Sequence, residues 1–169
     1  MKTFVIVLAA LMFAFCGYAQ EDWVCTHQKD LVECTCGASM KIHDIGLVGV
    51  GAYVTNDTRE IFMFFVGSET IHKPKDDKDL PLMQVIDTTS GEPIKLGVMF
   101  SAYLNQMYEG WGSTEVFVLD DPKDQILDYL VGRNKENLQV VVIGNNKALM
   151  FWLSDNQFRC LTTKPPSDK

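Results

Sequence analysis

Basic charge is scarce in this chain. Fifteen Lys and Arg stand against 22 Asp and Glu, a formal charge of −7 over 169 residues. Nucleic acids, heparin-like chains and anionic membranes each demand a basic face, so none of these is an expected partner. Chemistry-bearing motifs are missing as well. The chain has no Gly-x-Ser-x-Gly elbow, no His-Glu-x-x-His pair and no phosphate-binding P-loop. Its three histidines, His27, His43 and His72, read as surface side chains. Ser, His and Asp are all present, but a triad is defined by geometry and not by having the ingredients. The neighbouring Asp120 and Asp121 read as helix capping before glycoside chemistry. The sequence therefore leans away from an enzyme and implies no cofactor. Internal repeats and low-complexity segments are absent.

Apolar runs long enough to span a membrane are lacking too. A transmembrane helix needs about 20 apolar residues. The longest run here covers residues 4–15, preceded by Lys2 and followed by Gly17 and Ala19, which lie three and one residues before Gln20. That is the layout of a cleaved signal peptide. Phe15 precedes Cys16, where a lipoprotein would place a small residue. Residues 1–19 are expected to be removed, leaving 20–169 as a single exported domain. The leader takes one lysine with it, so the formal charge becomes −8.

Cys16 departs with the leader, and Cys25, Cys34, Cys36 and Cys160 remain. An even number of cysteines in an oxidising compartment implies disulfides. Direct pairing of Cys34 with Cys36 would be strained. Cys25 then pairs with Cys34, Cys36 or Cys160, and in each arrangement one N-terminal cysteine reaches Cys160. A zinc site from Cys25, His27, Cys34 and Cys36 fits poorly, because its ligand gaps are shorter than the usual two to four residues.

The rest of the chain reads as strands with few helices. Residues 44–55 are apolar on both alternating faces, and their glycines, Gly46, Gly49 and Gly51, suggest a bulge or a close approach by other backbone. Asn56-Asp57-Thr58 is a glycosylation triplet at an expected hairpin turn. Residues 60–66 are apolar on both faces, which predicts a central strand covered on both sides. The stretch 67–81 carries His72, Lys73, Lys75, Asp76, Asp77, Lys78 and Asp79 and reads as a long, mobile, solvated loop. A calcium loop starting there fails, since Leu82 would occupy its glycine position and Thr88 its glutamate position.

Residues 82–87 and 94–98 predict a second hairpin. From Met99 the apolar pairs recur every four residues to Tyr108, which predicts a helix ending at Gly110, with Trp111 on the connection. Residues 114–119 predict a strand. Asp121-Pro122-Lys123-Asp124 then opens a helix striped by Ile126, Leu127, Leu130 and Val131 and stopped by Gly132. The hairpin 138–143/148–153 follows, turning at Gly144-Asn145-Asn146. Residues 154–159 read as a polar return over the surface. Strand, helix, strand suggests a crossover with parallel neighbours. The expected fold is α+β, a single domain with one mixed sheet of about five to seven strands and two packed helices. A disulfide joins its N- and C-terminal segments.

Two functions suit such a chain. One is a secreted protein-interaction module that presents the loop 67–81 and Trp111 to an extracellular protein. The other is a carrier for a small hydrophobic ligand, suggested by Phe62, Met63, Phe64, Met99, Met150 and Trp152 and their neighbours, although an ordinary core explains those residues better.

Overall fold

The computed structural model describes residues 20–28, 31–105 and 113–166. The leader and Trp111 lie outside them. Among the described residues, ten strands form two antiparallel sheets that share one core. The larger sheet has the order β1-β2-β3-β4-β8-β7 and the smaller β10-β9-β5-β6. In sequence the strands are β1 (Gln20–Gln28), β2 (Leu31–Ile42), β3 (Gly46–Thr55), β4 (Arg59–Gly67), β5 (Leu82–Asp87), β6 (Pro93–Leu96), β7 (Val98–Asn105), β8 (Ser113–Asp120), β9 (Leu138–Ile143) and β10 (Ala148–Trp152). Two helices accompany them, α1 (Gln125–Leu130) and α2 (Asp155–Thr162). The α+β class and the single domain hold. The single mixed sheet does not.

Strand β4 is central as its composition implies, lying between β3 and β8 with Ile61 to Val66 all buried. Its odd-numbered side chains Ile61, Met63 and Phe65 face the smaller sheet, where Met83, Val85, Val140, Val142, Leu149 and Phe151 meet them. Its even-numbered side chains Phe62, Phe64 and Val66 lie on the other face with Tyr53, Val116 and Val118. That second face explains the glycines of β3. A Cβ on Gly49 would sit 1.9 Å from the Phe64 ring, and one on Gly51 would sit 2.4 Å from the Phe62 ring and 2.3 Å from the Cys36 carbonyl. The β3–β4 register runs without a shift, so no bulge is present. The glycines make room for cross-strand rings and for the neighbouring backbone.

Three further expectations are overturned. Residues 98–105 form β7 instead of a helix, paired with β8 from Val98↔Leu119 to Asn105↔Ser113. The segment also alternates, with Val98, Phe100, Ala102 and Leu104 two residues apart, so the four-residue spacing is ambiguous and a long-range ladder decides. The β8–α1–β9 connection has no parallel neighbours, because β8 and β9 belong to different sheets and the crossover rule applies within one. Residues 155–162 form α2 instead of a surface return. Its capping box joins the Ser154 side chain to the Gln157 amide and the Gln157 side chain to the Ser154 amide. Val131, assigned to the α1 stripe, falls beyond that helix and is exposed.

The bridges are Cys25–Cys34, across β1 and β2, and Cys36–Cys160, from β2 to α2 with Cα atoms 5.4 Å apart. The long bridge is the expected one from an N-terminal cysteine to Cys160, and it starts from the second strand, not the first. It pins the helix that follows β10. Around it the fully buried Gln157 donates to the Ala38 carbonyl (3.4 Å) and the Val48 carbonyl (3.1 Å). Arg59 donates to the Leu161 carbonyl (2.9 Å), and Trp23 Nε1 donates to Thr163 Oγ1 (3.0 Å).

Candidate interaction site

The loop 67–81 is neither free nor a simple connector. It is stitched to β8 and to the β9–β10 turn. Glu115 of β8 is fully buried, and its two carboxylate oxygens accept the amides of Ile71 and His72, each at 2.6 Å. Burial raises the Glu115 pKa, partly offset by those two amides. His72 is also buried, not on the surface. Its Nε2–H donates to the Asp79 carbonyl at 2.6 Å and its Nδ1 accepts the Asn145 amide at 3.2 Å, which sets the tautomer. Asn145 further binds the Lys73 amide, the Lys73 carbonyl and the Asp79 carboxylate.

The loop carboxylates are likewise engaged. Asp76 accepts the amides of Lys78 and Asp79, and Asp79 accepts the Lys75 amide. Lys73, Lys75, Asp76, Asp77 and Lys78 are exposed on the resulting frame. Thr70, Lys73, Pro74, Lys75, Asn145 and Asn146 border an open cleft of about 580 Å³. Among the described residues no cluster of three or more His, Cys, Asp or Glu is placed to hold a metal ion. No helix among them is long and apolar enough to cross a membrane.

Beside this frame lies a surface that the sequence did not single out. The outer face of the smaller sheet carries Leu82 of β5, Ile143 of β9, and Met150 and Trp152 of β10, exposed by 41%, 45%, 58% and 46%. The registers Leu82↔Ile143, Ile143↔Ala148 and Met150↔Val141 make these neighbours on one face. Leu82 follows the loop, and Ile143 leads straight into the turn that holds it. An apolar face thus meets a charged rim. Clustered exposed aliphatic and aromatic side chains of this kind are uncommon on surfaces that bind nothing. Alternation alone does not reveal the face, because Ala148 to Trp152 is apolar at every position. Leu149 and Phe151 turn in, and Ala148, Met150 and Trp152 turn out.

The residues suggested for an apolar carrier divide between these surfaces. Phe62 and Phe64 pack on the far face of the larger sheet, Met63 and Phe151 in the shared core, and Met150 and Trp152 outside. The void bordered by Val50, Met63, Met83, Leu119, Leu130 and their neighbours measures about 20 Å³. Ligand pockets run to about 300–1,000 Å³. Asn56 is exposed at the β3–β4 turn, where its Oδ1 accepts the Val32 amide at 3.0 Å. No protein-family model, curated protein or solved structure matches the chain.

Proposed function

We propose that this protein is a secreted, non-enzymatic interaction module whose binding face is the outer surface of the smaller sheet, rimmed by the loop 67–81. The observation that carries this reading is the exposed set Leu82, Ile143, Met150 and Trp152 on a rigid, hydrogen-bonded platform. Trp and Met anchors surrounded by polar groups are what protein partners bury. Lys73 and Lys75 on the rim suit an acidic margin on the partner, and the partner is an extracellular protein. Two disulfides and the absence of a membrane-length helix among the described residues are consistent with export. A glycan on Asn56 would lie at the opposite end of β4 from the loop, about 30 Å away along the strand, and leave the face clear. The filled core near Met63 and Met83 weighs against a small-ligand carrier.

The test is to immobilise the oxidised protein and offer it extracellular proteins from its own source. Wild type should retain a protein that Leu82→Lys/Ile143→Lys releases and that Val131→Lys, an exposed apolar position elsewhere, keeps. Retention indifferent to the face variant overturns the reading.

A further inference from the structure

The smaller sheet ends on one side at β6, which begins with Pro93 and carries Lys95, two features that discourage added strands. It ends on the other side at β10, Ala-Leu-Met-Phe-Trp, with neither proline nor charge. The direction of the β10 backbone groups follows from its turn. Gly144 N–H donates to the Lys147 carbonyl, which makes 144 and 147 a hydrogen-bonded pair. Antiparallel pairs alternate, so Leu149 and Phe151 bond to β9 while Ala148, Met150 and Trp152 aim their amides and carbonyls away from it. Among the described residues no other hydrogen bond reaches those outward groups. An unguarded edge of this kind is a template for another strand.

We propose that the β10 edge pairs with β10 of a second copy, antiparallel and centred on Met150. This rests on the same strand as the binding face but uses its backbone edge. Parity favours this register: with Met150 opposite Met150, Ala148 faces Trp152 and every outward group meets an outward group, giving about six hydrogen bonds. The side chains agree. On the outer face each bulky Trp152 lies against the partner's small Ala148, and on the inner face Leu149 lies against Phe151. The flanking charges are also complementary. Lys147 precedes the strand and Asp155 lies beyond its end, so antiparallel pairing brings Lys147 of each copy towards Asp155 of the other. Within one chain these two contact Glu69 and Lys135 at exposed sites, pairs that are weak enough to share. The assembly is isologous and closed, and the two small sheets become one.

Sedimentation of the oxidised protein, expressed from the full-length chain, tests this from about 1 to 200 μM, where small interfaces associate. Wild type should pass from monomer to dimer. Met150→Lys puts two ammonium groups together at the two-fold axis and should weaken the dimer at least about tenfold, with an unchanged circular dichroism spectrum. Met150→Cys should give a covalent dimer, since hydrogen-bonded pairs hold their Cα atoms about 5.5 Å apart. Leu82→Lys, which disables the binding face, should leave the dimer intact, so the two readings can fail separately. A wild type that stays monomeric throughout, or a dimer that survives Met150→Lys, overturns the pairing.

Discussion

Strand β10 and helix α2 are separated only by Leu153 and Ser154, yet the chain treats them oppositely. Helix α2 is locked by the Cys36–Cys160 bridge, by a fully buried Gln157 whose side chain serves two sheet carbonyls and the Ser154 amide, and by Arg59 at its last turn. Strand β10 has one strand neighbour, an open edge, and Met150 and Trp152 in solvent. Covalent and polar restraint is concentrated where the chain must close on itself. Apolar surface is left uncovered on the adjacent strand, whose position that closure secures. Restraint and exposure are thereby separated by a few residues.

Removing the lock should have the largest effect. The Cys36→Ser/Cys160→Ser pair opens a loop spanning 124 residues of separation. Such a loss costs about 2–5 kcal/mol, comparable to much of a domain's stability, and should be read as a lower denaturant midpoint and reduced export. Gln157→Leu comes next. It leaves the Ser154 amide and two sheet carbonyls short of a partner, and chemical denaturation should report about 1–3 kcal/mol. Should either change leave stability untouched, the contrast between locked helix and open strand collapses.

Protonation probes the same contrast with less force. Asp87 accepts Thr89 Oγ1 and the Thr89 amide and pairs with Arg133, which hold its pKa at about 2 against an ordinary 3.8. Its contribution is fully present above the ordinary value and is lost as the pH falls from about 4 towards 2. An acid titration of Asp87→Asn should lack that component. Glu115 runs the other way. Burial raises its folded pKa, so its contribution is present at low pH and is lost as the pH rises through that raised value. Glu115→Gln should flatten that part of the stability profile.

The smallest effect on stability belongs to the open side. Met150→Ser should change unfolding free energy by about 0.5 kcal/mol or less, because the side chain is largely in solvent. The same variant should nevertheless reduce binding through the outer face. A large loss of stability would mean that Met150 is core, and the division drawn between the two regions would fail.

Much of the fold was legible in the residues. The hairpin 138–143/148–152, the capped helix after Asp121 and the central strand β4 announce themselves through turn residues, capping chemistry and unbroken apolar runs, which act locally. The start of that helix differs from the expectation: α1 begins at Gln125, after a turn at 122–124 in which Lys123 and Asp124 have φ of 59° and 57°, and the Asp121 carboxylate reaches past that turn to accept the Ile126 amide at 2.6 Å. The candidate site was legible only in part. The charged loop could be singled out, but its anchoring by Glu115 and Asn145 could not, since those residues lie far from it in sequence and carry no motif. Trp111 falls outside the described residues, and the aromatic that marks the exposed face is Trp152.

By itself the sequence determined a strand-rich α+β chain, four cysteines available to pair and a net acidic composition. These follow from composition, spacing and local backbone preference. Tertiary structure alone decided that 98–105 is a strand, that the locally capped helix 155–162 is pinned to β2, that the strands divide between two sheets, and which face of Ala148–Trp152 meets water. Each of those outcomes depends on a partner distant in the chain. In a segment apolar at every position, only the element stacked against one face distinguishes inside from outside.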